Sequence, residues 1–127
     1  MKAITKTMTN GEIYQIAINL MNAKLDDNKV YMPAAVAFAI QKNKSALTET
    51  AEEVEKGRMS IIEHYSEEQT EEGFTIPAEN VEKANNELKD LLEIEQEVKI
   101  YTFGIEALGD IQLTSAQMQA IMFMIED

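Results

Sequence analysis

The sequence predicts a mainly α-helical protein: a long antiparallel, coiled-coil-like helical hairpin, N- and C-terminal helices, and a minor two-stranded β element. Three observations predict this fold class. Residues 34–72 contain one glycine and no proline, and a second apolar stripe at helical spacing follows them. Segments rich in β-branched and aromatic residues lie near both ends of the chain. We expect a single domain over residues 1–127, with an acidic helical hairpin at about 33–96 within it.

The first elements are a short strand and a buried helix. The segment MKAITKTM alternates loosely and contains β-branched residues, which favour a strand. Thr9 and Glu12 have the spacing of a capping box, so a helix should begin near Asn10. Apolar residues of the following EIYQIAINLMNAKL form one broad face, which is typical of a well-buried helix. We expect residues 26–29, DDNK, to end it.

A long second helix should follow Pro33, which suits a first helical turn because its missing N–H would be unpaired there in any case. We expect this helix to continue to about residue 68, with Gly57 as the place where it can bend. Beyond its apolar first turns, the stripe narrows to positions seven residues apart. That spacing predicts the seam of a coiled coil, formed by Ile40, Leu47, Val54 and Ile61.

The second half of the chain supplies the partners of these elements. Residues 67–80 read as a loop, with Gly73 and Pro77 as its turn residues. The next predicted helix, AENVEKANNELKDLLEIEQE, also carries an apolar stripe. The simplest partner for that stripe is the preceding long helix, so the two helices should form an antiparallel hairpin. The segment VKIYTFGI predicts a strand that can pair with the N-terminal strand. Thr114 and Gln117 form a second capping box, which opens the final helix.

Charge restricts the class of partner. The chain has 11 basic and 23 acidic residues and a formal net charge of −12. A field of that sign repels phosphate backbones and anionic lipid surfaces, so we expect no direct nucleic-acid or membrane binding, and we expect a protein partner with a basic surface. The N-terminal residues lack a signal-peptide pattern and the longest apolar run, AAVAFAI, is too short to span a membrane. We therefore expect a cytoplasmic protein.

The sequence contains no recognisable catalytic constellation. His64 is the single histidine, the serines lack the glycines of a nucleophile elbow, and no glycine-rich phosphate loop is present. There is no cysteine, and no Glu-x-x-His motif organises the carboxylates into a metal site. We expect a protein without enzymatic activity, cofactor or metal.

The glutamates are concentrated in the predicted hairpin. Nine lie between Glu49 and Glu72, against two basic residues, Lys56 and Arg58. A carboxylate run on a helix is most often a solvated face. The alternatives are a docking surface for a basic partner, or a mimic of nucleic acid. The candidate partner-binding residues here are Glu52, Glu53, Glu67 and Glu68.

The C-terminal segment TSAQMQAIMFMIED has apolar residues on more than one side of its predicted helix. The helical stripe of Met118, Ile121, Met122 and Ile125 should face the core. Phe123 and Met124 lie further around that helix and are candidate partner-binding residues. The second side is covered either by the first helix and the strands, or by another chain, which is a partner or a second copy of this protein.

Three segments, NGEIYQIAINLMNAKL, MPAAVAFAIQKN and VKIYTFGIEALGDIQLTSAQMQAIMFMIED, together resemble a family of small proteins encoded by phages and prophages of Gram-positive bacteria and catalogued as a domain of unknown function. The NGE start of the first helix and the LTSAQMQAIMFMIED ending are the most specific parts. The middle of the chain is similar to the family only in its charged, coiled-coil character.

The resemblance implies a phage origin and a non-enzymatic accessory role in the infected cell, through protein–protein binding. Virion assembly and interaction with a host system both remain open. The alternative function is an acidic inhibitor of a host defence or nucleic-acid-binding protein, which would act by nucleic-acid mimicry.

Overall fold

The computed structural model describes residues 1–25, 31–70 and 73–126, and the side chains of all of these except residues 68–70. The strands are β1 Lys2–Thr9, β2 Glu68–Thr70, β3 Gly73–Thr75, β4 Glu95–Gly104 and β5 Ile125–Glu126. The α-helices are α1 Asn10–Asn22, α2 Ala34–Tyr65, α3 Ala78–Glu93 and α4 Ser115–Ile121. Two short 3₁₀ helices cover Ile105–Leu108 and Met122–Met124.

The described strands form a three-stranded mixed sheet in the order β1-β4-β5 and a separate two-stranded sheet of β2 and β3. Strand β1 pairs antiparallel with β4 from Lys2↔Thr102 to Thr9↔Glu95, so the predicted pairing of the N-terminal segment with VKIYTFGI is confirmed. Strand β5 joins β4 in parallel, with Phe103 opposite Ile125. The predicted two-stranded element is therefore wrong in strand number, because the end of the chain leaves its helix and joins this sheet.

Helix α1 begins directly after β1, as its sequence predicts. The backbone N–H of Glu12 donates to the Thr9 hydroxyl at 3.1 Å, which caps the first turn. The buried face of α1 consists of Asn10, Ile13, Ala17 and Leu20. Helix α1 contacts α2, α3 and α4, and Ile13, Ala17 and Leu20 belong to the hydrophobic core.

The predicted coiled-coil hairpin is wrong. Helix α2 is 32 residues long and α3 is 16, so α2 has no hairpin partner along most of its length. The N-terminal half of α2 packs against α1 and β4, and Ile40 and Leu47 belong to the main core. Helix α3 contacts the other half, near Gly57, where an added Cβ would lie 3.2 Å from Leu91 Cδ2. Heptad spacing created an apolar stripe on α2, but two different neighbours cover it.

Two other predicted boundaries change. The predicted loop at residues 67–80 contains β2 and β3, which pair antiparallel from Glu68↔Thr75 to Thr70↔Gly73. Helix α3 then starts at Ala78, after Pro77. The predicted helix break at residues 26–29 lies outside the described residues. Among the described residues, no helix has both the length and the apolar character needed to cross a bilayer.

Candidate partner-binding surfaces

The acidic charge is concentrated in one part of the fold. Residues 49–93 carry 14 of the 23 acidic residues and 4 of the 11 basic ones, which is a formal charge of −10 out of −12. They form the second half of α2, the β2–β3 pair and α3. We call this part of the chain the acidic region. The rest of the molecule, including the three-stranded sheet, is close to neutral.

The predicted acidic residues lie at two ends of this region. Glu52 and Glu53 are exposed on α2, and Glu67 is exposed just beyond the end of that helix. Glu68 lies in β2, and its side chain is outside the described residues. At 1.5 Å per helical residue, α2 rises about 18 Å from Glu53 to its end at Tyr65, and Glu67 lies beyond that end. The four glutamates therefore do not form one compact cluster; they mark a long acidic surface.

Glu55 of this region is bound by two side chains of the same molecule. Arg58 binds the Glu55 carboxylate through two hydrogen bonds, from Nη2 at 2.7 Å and from Nε at 2.9 Å. The Tyr14 hydroxyl of α1 donates to the same carboxylate at 2.9 Å. The Arg58 hydrogen bond lowers the pKa of Glu55, while the hydrogen bond to Glu55 raises the pKa of Tyr14. This trio joins α1 to α2, so we assign it a structural role.

A groove of 810 Å³ runs along α2 and reaches the acidic region. Its apolar end includes Leu25 and Met32, which flank the undescribed residues 26–30. Its other end includes Glu49 and Glu52. Lysine 44 and several hydroxyl and amide side chains of α2 lie between the two ends. The groove is thus suited to a segment with an apolar part and a basic part.

In the structure, His64 has an aromatic neighbour, and no catalytic partner lies beside it among the described residues. The imidazole is exposed near the end of α2, and its ring centroid lies 4.8 Å from that of Tyr65. Within residues 1–25, 31–70 and 73–126, no three His, Asp or Glu side chains are grouped so that they could hold a metal ion. The absence of enzymatic activity stays a prediction.

The two candidate residues near the C-terminus have different environments. Met124 is fully buried, so its side chain is not on the surface where the sequence placed it. Phe123 is half-buried and remains partly accessible. The predicted continuous helical stripe is also wrong, since Met122 is 59% exposed. The reason is that α4 ends at Ile121 and a 3₁₀ helix follows, which changes the angle between successive side chains.

Phe123 lines a second groove, which sequence reasoning did not predict. This groove has a volume of 410 Å³ and lies across the three-stranded sheet. Its lining combines the first strand with the last residues of the chain: Lys2, Ile4, Lys6, Thr102, Phe123, Ile125 and Glu126. The predicted pairing of β1 with β4 could have indicated which residues of these two strands line the groove. Nothing in the sequence placed residues 123–126 beside them.

No protein-family model matches the sequence, and neither the curated proteins nor the solved structures give a significant match. The resemblance to a phage-encoded family therefore stays a prediction.

Proposed function

We propose that this protein is a non-enzymatic phage accessory protein that binds a basic protein partner in the cytoplasm of the infected cell. The observation that supports the proposal is the formal charge of −10 in residues 49–93, with Glu52, Glu53 and Glu67 exposed. Concentrated charge of one sign accelerates encounter with an oppositely charged surface and orients the two proteins before contact. The phage setting rests on the sequence resemblance alone.

The groove along α2 gives this proposal a more specific form. Lysine or arginine side chains of the partner would approach Glu49 and Glu52, while apolar side chains would contact Leu25, Met32 and Ile40. Charge would then determine how fast the partner associates, and apolar burial would determine how slowly it leaves. Virion assembly and host interaction remain two settings for the same binding mode.

The second candidate function is inhibition of a host defence or nucleic-acid-binding protein. The observation that favours it is the spread of glutamates along the second half of α2 and just beyond its end, rather than in one cluster. Negative charge extended along a surface is also what a nucleic-acid channel binds. The two candidates differ in partner: a virion protein in the first case, and a basic host protein with a nucleic-acid channel in the second.

Affinity capture with the tagged full chain from infected cells, followed by binding kinetics with the captured protein, tests the proposal. Replacement of Glu52, Glu53, Glu67 and Glu68 by glutamine should reduce the association rate at low salt by about tenfold. A matched control neutralises four acidic residues outside the acidic region: Glu95, Glu97, Glu106 and Asp110. Equal effects of the two variants would show that net charge, rather than this region, attracts the partner.

Competition separates the two candidates. Single-stranded DNA should displace this protein from a captured nucleic-acid-binding partner if the mimicry hypothesis is correct. It should have no effect on a partner that assembles into virions. A captured partner without a basic surface, bound equally well at high and low salt, would contradict both.

A further inference from the structure

Strand β1 forms a free edge of the sheet, and the hydrogen bonds of β4 show which of its backbone groups point outward. Both the N–H and the C=O of Tyr101 bind the side chain of Asn43, each at 2.8 Å. The pair Ala3↔Tyr101 therefore exchanges no backbone hydrogen bonds. Because bonded and non-bonded pairs alternate in an antiparallel ladder, the N–H and C=O groups of Ala3, Thr5 and Thr7 point away from β4. Within the described residues they meet no other strand.

The same strand carries positive charge in an acidic protein. Residues 1–11 contain Lys2 and Lys6 and no acidic residue. Both lysines and Ile4 lie on the face of the sheet that carries the 410 Å³ groove. Residues 1–7 are all exposed. Positive side chains and unpaired backbone groups therefore occur together along one edge.

The neighbouring charges on β4 and β5 change the positive charge of this edge without cancelling it. Lys99, opposite Thr5, adds a positive charge on the other face of the sheet. Glu97 lies opposite Thr7. Glu126 lies in the groove, where its carboxylate accepts a hydrogen bond of 2.8 Å from the Thr102 hydroxyl. Charges separated by more than about 8 Å are largely screened at physiological salt, so these local groups outweigh the carboxylates of the acidic region that lie beyond that distance.

We propose that β1 accepts an extended segment of a partner protein as an additional strand, and that this segment has the pattern acidic-x-apolar-x-acidic. The backbone of the segment would pair with the outward groups of Ala3, Thr5 and Thr7. Its two acidic side chains would lie opposite Lys2 and Lys6, because those residues are four apart and share a face. Its central apolar side chain would lie opposite Ile4, at the margin of the groove that Phe123 also lines.

The lysines also determine what the edge rejects. If a second copy paired antiparallel through Ile4, each Lys2 would lie directly opposite a Lys6, and like charges in such positions are destabilising. Lysine on an edge strand is a common guard against pairing with identical strands. An acidic segment reverses the sign of that interaction, so the residues that discourage self-association select the partner.

A designed peptide pair tests the proposal with the full chain. The probes are fluorescein-labelled Thr-Glu-Thr-Val-Thr-Glu-Thr and its counterpart with lysine in place of glutamate, measured by fluorescence anisotropy at physiological ionic strength. The glutamate peptide should bind at least tenfold more tightly. In the Lys2→Glu, Lys6→Glu double variant the preference should reverse.

Proline provides the test of backbone pairing. Thr5→Pro removes one outward N–H, and it leaves the β1–β4 ladder intact because that N–H does not donate to β4. It should weaken binding of the glutamate peptide at least tenfold, with an unchanged circular dichroism spectrum. If Thr5→Pro unfolds the protein, the lysine double variant, which alters exposed side chains, still decides the question.

Three results would overturn the proposal: no binding of the glutamate peptide, equal binding of both peptides, or a folded Thr5→Pro variant that binds normally. A concentration-dependent dimer that Thr5→Pro dissociates would instead assign the edge to a second copy. The proposal does not depend on the function proposed for the acidic region. The four-glutamine variant used there should bind the peptide at least as well as the parent, which makes the two failures distinguishable.

Discussion

Asn43 on α2 and Tyr101 on β4 are joined by two hydrogen bonds of 2.8 Å, one in each direction. The carboxamide oxygen accepts from the Tyr101 N–H, and the carboxamide nitrogen donates to the Tyr101 carbonyl. The buried side chain of Asn43 thus occupies the place beside β4 that a neighbouring strand would take. Two residues further along β4, at Phe103, strand β5 takes that place. The contact joins the longest helix to the sheet and satisfies polar groups that burial would otherwise penalise.

The first prediction concerns this contact. Asn43→Leu should lower the free energy of unfolding by about 3 kcal/mol, because the N–H and C=O of Tyr101 lose their partner. Urea denaturation monitored by circular dichroism measures the change. Leucine is larger than asparagine, so part of any loss reflects packing. A loss below about 1 kcal/mol would mean that water satisfies these groups and that the hydrogen bonds contribute little.

Thr48, five residues further along α2, allows the opposite experiment. Its hydroxyl oxygen is buried and has no hydrogen-bond partner among the described residues. Thr48→Val keeps the shape and removes the unpaired polar atom, so it should raise the free energy of unfolding by about 1 kcal/mol. The same urea titration applies. A destabilised valine variant would reveal a partner for this hydroxyl.

The third prediction concerns pH and the trio of Tyr14, Glu55 and Arg58. The pKa of Glu55 is lower in the folded protein, so its contribution is present above the unfolded value of about 4.3 and is lost as pH falls through the folded pKa. The pKa of Tyr14 is raised, so its contribution is present below about 10 and is lost as pH rises through the folded pKa. Both contributions are complete between about pH 5 and pH 9.

Thermal melts across this range check the prediction. The difference in melting temperature between the parent and Glu55→Gln should be constant from about pH 5 to pH 9 and should shrink outside that window. Tyr14→Phe should cost about 1 kcal/mol within it, since one partly exposed hydrogen bond is lost. Glu63→Gln, at an exposed position of the same helix, is the control for removal of charge. A difference that does not change with pH would contradict the assigned pKa directions.

The fourth prediction contrasts two adjacent residues. Met124→Glu should cost at least about 3 kcal/mol, because the side chain is fully buried and a carboxylate there has no partner. Phe123→Glu should cost about 1 kcal/mol, because this half-buried side chain can turn towards solvent. Thermal melts of both variants measure the difference. Equal destabilisation would mean that Phe123 belongs to the core and offers no surface to a partner.

Local patterns predicted the beginnings of helices and one strand pairing well. Thr114 and Gln117 form the predicted capping box at α4, whereas at α1 only the Thr9 half of the predicted box is present. Both caps involve contacts within four residues, so they form whatever surrounds them. The charge distribution also needs no tertiary information, since most acidic residues are contiguous in sequence. The candidate glutamates could therefore be named from sequence.

The helical hairpin failed because an apolar stripe does not specify its neighbour. Ile40, Leu47 and Val54 recur every seven residues, which is the spacing that a coiled coil requires. In the fold, the first two face the core of α1 and the sheet, while Val54 is buried outside that core. Periodicity determines which side of a helix is buried, and long-range packing determines what buries it.

The sequence by itself determined the helical character of most of the chain, the starts of the capped helices and the acidic region. It also indicated that the first strand can pair with the segment VKIYTFGI. Each of these features depends on local chemistry or simple complementarity. Tertiary structure alone decided how α2 is shared between two neighbours, that Met124 is buried while Met122 is exposed, and that Asn43 completes the sheet. It also brought Lys2, Lys6 and Phe123 around one groove. These features join residues that are far apart in sequence, and their free energies depend on which surfaces meet, which no local pattern encodes.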